Sequence, residues 1–91
     1  LKMSGTGTIS ITDSYNVSGI SDNGTGNYDM NHDVNFSNNT YCTVATSDLA
    51  GGSVSSNNNY VGTANLIVAN TSGSNADSSR INAVCFGDMP L

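Results

Sequence analysis

Apolar side chains recur at every second position in several short runs of this chain, and each run is bounded by Gly, Asn, Asp or Ser. A period of two marks a strand with one face against a core, because successive side chains of an extended backbone point to opposite sides. Thr8 to Thr12 sets Ile9 and Ile11 against Thr8, Ser10 and Thr12. Tyr15 to Ile20 carries Tyr15, Val17 and Ile20, and runs into Ser21-Asp22-Asn23-Gly24-Thr25-Gly26. Asn-Gly tolerates the positive φ of a tight hairpin turn. The return strand is then read in Tyr28, Met30 and His32, alternating with Asp29, Asn31 and Asp33. Val34 and Phe36 end that strand or lead into Thr40 to Ser47, where Tyr41, Thr43 and Ala45 oppose Cys42, Val44 and Thr46. Two further strands are predicted at Tyr60 to Ala69 and Ser79 to Gly87. Leu49 to Asn59, with Gly51-Gly52 and three consecutive Asn, reads as a loop around Val54, and Asn70 to Ser78 as a polar connection.

Six strands without one amphipathic helical run predict an all-β fold: a small antiparallel β-sandwich or jelly-roll-like domain spanning residues 1–91 as a single unit. Composition agrees. Glu and Gln are absent, and the polar positions are held by Asn, Ser, Thr and Gly, which prefer turns and strands to helices. With no Trp, two Phe and four Tyr the core has few large side chains, so oligomerisation is the expected supplement. The recurrent β-branched clusters argue against a disordered tract.

A net charge of −5, with Lys2 and Arg80 the only cations apart from the terminus, removes the basis for gripping a phosphate backbone. Nucleic acid is excluded as a partner on that ground. No run approaches the ~20 apolar residues of a membrane-spanning helix, and no polybasic patch suits an anionic bilayer. Leu1 to Met3 lacks the features of a signal peptide, and the chain is read as the C-terminal part of a longer polypeptide.

Candidate chemistry is sparse. His32 is the only His, so a triad or a two-His metal site would have to run through it, and its place among apolar alternates suits a packed side chain better. The Asp residues, among them Asp22, Asp29, Asp33 and Asp77, sit beside turns or alternate with strand positions. Asp22 to Asn27 is oxygen-rich, but it lacks the spacing and closing Glu of a Ca²⁺ loop. Cys42 and Cys85 are either two packed thiols or one disulfide. Sequons begin at Asn16, Asn23, Asn35, Asn38 and Asn70, as a chain rich in Asn, Ser and Thr will produce. The expectation is a protein without catalytic residues, metal or cofactor. Its candidate binding residues are Asn57, Asn58, Asn59 and Tyr60, where clustered amides and an aromatic plate suit hydroxyl-rich ligands.

One stretch is more specific. Gly5-Thr6-Gly7-Thr8-Ile9-Ser10-Ile11 and Asp13 to Tyr28, centred on Asn16-Val17-Ser18-Gly19-Ile20 and Asp22-Asn23-Gly24-Thr25-Gly26, resemble a module found near the C-terminus of tail-fibre and related virion proteins of aquatic phages. Asn39-Thr40-Tyr41-Cys42 and Ala83-Val84-Cys85-Phe86-Gly87 are similar to later strands of that module. The resemblance implies a virion-surface protein, commonly a homotrimer, whose exposed loops contact a host glycan or protein receptor. A capsid or tail decoration protein touching only other virion proteins is the alternative, and a small polysaccharide-binding or depolymerising domain a third.

Overall fold

The computed structural model describes residues 1–49 and 51–87, and of residues 57 and 58 the backbone alone. The described residues form eight strands and no helix. These are β1 (Lys2–Ser4), β2 (Ser10–Asp13), β3 (Val17–Gly24), β4 (Asn27–His32), β5 (Cys42–Ser47), β6 (Ser53–Tyr60), β7 (Thr63–Ala69) and β8 (Ile81–Phe86). Two four-stranded antiparallel sheets result, ordered β2-β1-β8-β5 and β3-β4-β7-β6. The fold is thus the expected small antiparallel sandwich.

Alternation sets which side chains meet between the sheets. In β4 Tyr28, Met30 and His32 are buried while Asn27, Asp29 and Asn31 face outward, and in β7 Ala64, Leu66 and Val68 do the same against Thr63, Asn65 and Ile67. The first sheet supplies Met3, Ile81 and Ala83. Phe36 and Tyr41, from the crossing between β4 and β5, complete the buried apolar set. Among the described residues no buried side-chain N or O lacks a hydrogen-bond partner, as a core this thin requires.

A polar knot ties the two sheets at one end. Tyr28 is fully buried, and its hydroxyl lies 2.6 Å from Asp77 Oδ1 and 2.8 Å from Gly5 O. Asp77 Oδ1 also accepts from Gly26 N at 2.9 Å. Desolvation of Tyr28, and then the bond to Asp77, push the phenol pKa far above its usual value, while the same bond lowers that of Asp77. A side chain at Gly5 would run into the Tyr28 ring, and one at Gly26 into Val68 O and the Ala76 backbone. The two Gly-Thr-Gly stretches each contribute one glycine to this knot. Asp77, placed by the sequence beside a turn, therefore ties the β7–β8 connection to Tyr28 of β4 and to the β3–β4 turn at Gly26, while Tyr28 itself reaches the β1–β2 connection at Gly5.

Five elements differ from the sequence reading. β2 shows no buried face: all four of its residues are exposed, Ile11 included, where Thr8 to Thr12 was expected to set one face against a core. β1 was not predicted, because three residues cannot display a period; Met3 is nevertheless buried. Ser53–Tyr60 is a strand although Leu49 to Asn59 was expected to be a loop, held extended by the ladder from Ser53↔Ala69 to Tyr60↔Thr63 rather than by its own apolar content. The expected strand from Tyr60 is broken by a turn at Val61 and Gly62. The hairpin is present, but its turn is at Thr25-Gly26, not Asn23-Gly24. Gly26 has φ 64°, and the register shifts between Asp22 and Gly24, so Asn23 is the extra residue of a bulge.

Candidate functional site

The sequence-selected residues Asn57, Asn58, Asn59 and Tyr60 are brought together, but on edge strand β6 and not on a loop tip. The side chains of Asn57 and Asn58 lie outside the described residues. Asn59 is committed internally: Nδ2 donates to Tyr41 O at 3.0 Å, and Oδ1 accepts from Ser56 Oγ at 2.7 Å. It ties β6 to the start of β5 and has little left to offer a ligand. Tyr60 is 59% exposed and remains available.

Below it lies a buried aromatic cluster. Phe36 and Tyr41 stack with centroids 4.3 Å apart, and His32 meets both edge-on at 4.9 and 5.3 Å. Tyr41 Oη is 2.7 Å from Tyr60 O and 2.8 Å from Thr63 O, so its single proton is committed to a carbonyl. His32 Nε2, 3.2 Å away, then donates to the Tyr41 oxygen, which assigns the Nε2-protonated tautomer. Desolvation lowers the pKa of His32 and, with a smaller contribution from Cys85, raises that of Tyr41 to about 12. His32 is thus a neutral, packed side chain.

A cleft of about 730 Å³ opens beside this cluster, lined by Met30, His32, Phe36 and Ala83 and rimmed by exposed apolar groups. Tyr15 is 93% exposed at its mouth, and Phe86, Val34 and Val84 are also exposed. Asn16 fixes one rim. With φ 57° it turns the chain between β2 and β3, and its amide brackets Val34 by accepting from N at 2.7 Å and donating to O at 3.1 Å. The outer face of the β5–β8 ladder continues the apolar surface, since Val44 pairs with Val84 and Cys42 with Phe86.

The outer face of the β3-β4-β7-β6 sheet has the opposite chemistry. Asn65 Nδ2 lies 2.8 Å from both Asn27 Oδ1 and Asp29 Oδ1. Thr63 Oγ1 donates to Asn31 Oδ1 at 3.2 Å, and Asn31 Nδ2 to Ser21 Oγ at 3.2 Å. Amides and hydroxyls therefore form two neighbouring hydrogen-bonded groups on one polar sheet surface, with the Asp29 carboxylate in the first. The alternation of Asn27, Asp29 and Asn31 with buried residues already carried this signal. What sequence reasoning missed was that β4 and β7 are neighbours, which merges two half-patterns into one surface.

The cysteines are free thiols. Cys85 pairs with Thr43 and points inward, its Sγ 3.3 Å from Thr43 Oγ1, whereas Cys42 is one position along β5 and points outward. The pleat puts the two sulfurs on opposite faces of one sheet, and no disulfide bridges that arrangement. Burial pushes the Cys85 thiol up. Cys42 is exposed, contrary to the expectation of two packed thiols. Asp22 accepts from Gly24 N at 3.0 Å as a turn cap, and the described residues contain no group of three or more His, Cys, Asp or Glu placed to share a metal ion.

No protein-family model, curated protein or solved structure matches this chain.

Proposed function

We propose that this protein is a non-catalytic recognition module of a virion fibre, exposed on the phage particle. It assembles as a homo-oligomer, a trimer by preference, and binds a host surface glycan or protein through polar groups. The observation that carries this reading is the division of its surface into two chemistries. Exposed Tyr15, Val34, Val84 and Phe86 gather around one cleft, and exposed apolar clusters of this kind suit protein association. The opposite sheet surface presents amides and hydroxyls suited to polar ligands. Support for the non-catalytic role comes from His32, which is neutral, packed and hydrogen-bonded to Tyr41, and so poorly placed to move a proton at a substrate. The charge balance supports partners other than nucleic acid or an anionic bilayer.

The same apolar rim fits the second reading, a decoration protein seated on other virion proteins. Native mass measurement together with adsorption of the purified protein to host cells tests both. An oligomer that adsorbs and competes with phage supports the fibre reading. An oligomer that binds particles but no cell supports decoration, and a stable monomer that binds neither defeats both. Turnover of a host polysaccharide that is lost on changing an Asp would defeat the non-catalytic reading.

A further inference from the structure

Nine of the ten glycines have either a positive φ or no room for a Cβ. Gly7, Gly24, Gly26, Gly51 and Gly73 have positive φ, and a Cβ at Gly5, Gly52, Gly62 or Gly87 would press into a neighbouring side chain or backbone. Gly19 has neither. Its φ lies outside the left-handed region, and a Cβ built on it meets nothing within 4 Å. Glycine in a strand interior weakens the strand through backbone entropy and missing side-chain contact, and it marks a bulge or a close approach. Gly19 follows Ser18, the extra residue of a bulge in β3, and its outer side also stands open to a close approach.

The register shows what Gly19 faces. Gly19 pairs with Asn31, Asn31 with Thr63, and Thr63 with Tyr60, so these four residues form one row across β3, β4, β7 and β6. Three inter-strand steps make that row about 14 Å long. An exposed aromatic stands at one end and an open notch at the other. Between them, Thr63 Oγ1 and the Asn31 amide are already oriented by their bond to each other and by Ser21. Among the described residues the second amide hydrogen of Asn31 and the lone pairs of Thr63 are left for a ligand. Asp29 flanks the row, and neither Lys2 nor Arg80 belongs to this sheet.

We propose that the outer row Gly19–Asn31–Thr63–Tyr60 is a binding site for a neutral oligosaccharide lying across the strands, with a sugar ring against Tyr60 and a hydroxyl-bearing edge lowered onto Gly19. The inference rests on the recognition role proposed above and specifies its ligand. Hydroxyls match a surface of alternating donors and acceptors. An acidic sugar would meet the Asp29 carboxylate with no cation to offset it.

The test is an array of neutral gluco-, manno- and galacto-oligosaccharides beside uronate- and sialate-bearing ones, probed with the full chain and three variants. Gly19→Val fills the notch, adds a β-branched side chain to a strand and is expected to unfold at the same or a higher temperature while losing at least tenfold in affinity. Tyr60→Ala is expected to lose about tenfold, and Thr46→Val, on the other sheet, to bind as the native chain does. Preference for acidic glycans, or binding unchanged in Gly19→Val, overturns the site. Cell adsorption that persists in Gly19→Val without any neutral-glycan binding overturns this site and leaves the adhesion role standing. Glycan binding that Gly19→Val abolishes, in a chain that neither associates with virions nor adsorbs to cells, supports the site and defeats the virion role.

Discussion

Replacing Tyr28 by Phe isolates the polar knot from the packing around it, because Phe fills the same buried volume and removes only the hydroxyl. That hydroxyl sits 2.6 Å from Asp77 Oδ1 and 2.8 Å from Gly5 O. A hydrogen bond to a charged acceptor contributes roughly 1.5–3 kcal/mol, and the lower half of that range applies because solvent reaches Asp77. The expected loss is about 2 kcal/mol, a large share of the ~5–10 kcal/mol available to a domain of this size. It corresponds to a fall of about 10 °C in Tm. Urea unfolding of the native chain, Tyr28→Phe, Asp77→Ala and the double variant measures it. Asp77→Ala also strips the acceptor from Gly26 N, so it should cost at least as much as Tyr28→Phe. The double variant should fall short of additivity by about 1.5 kcal/mol, the coupling of the shared bond. A Tyr28→Phe loss below about 0.5 kcal/mol, or full additivity, would refute the assignment of this bond as the link between the sheets.

His32 makes stability sensitive to mild acid. Its folded pKa is lowered by desolvation, so the stabilisation is complete above the unfolded value of about 6.5 and is lost as pH falls toward the folded pKa. Tm should decline between pH 7.5 and 5 and be flatter in His32→Gln; equal slopes would remove His32 as the cause. Leu66→Ala, at a fully buried position of the central strand β7, should cost about 3 kcal/mol in urea unfolding, and a cost under about 1 kcal/mol would show that the sheets do not close over it. Alkylation should modify Cys42 faster than Cys85, and reductant should leave Tm unchanged; a mass short by two hydrogens in the monomer would overturn the placement of the sulfurs on opposite faces.

The residues that alternate strongly were legible in advance. Tyr28, Met30 and His32 against Asn27, Asp29 and Asn31 made β4 readable, as did Cys42 to Ser47 for β5. The weak elements were those whose conformation is imposed by a neighbour. Ser53–Tyr60 has Val54 as its one aliphatic residue in the strand, and its extended form depends on the open edge of β7. The binding candidates suffered from the same blindness. Asn59 looked like a free amide in a run of three, but the approach of β5 to β6 spends it on Tyr41 and Ser56.

Residue chemistry by itself determined the class of fold, the poverty of titratable groups and the absence of a basic surface, because periodicity and composition are local properties of the chain. Tertiary structure decided everything that depends on which strands are neighbours. It converted two Gly-Thr-Gly turns and an Asp at a loop into one knot around the buried Tyr28. It separated Cys42 from Cys85 by a single step of the pleat. It also aligned Gly19, Asn31, Thr63 and Tyr60, far apart in sequence, into a row, since strand register carries information that no window along the chain contains.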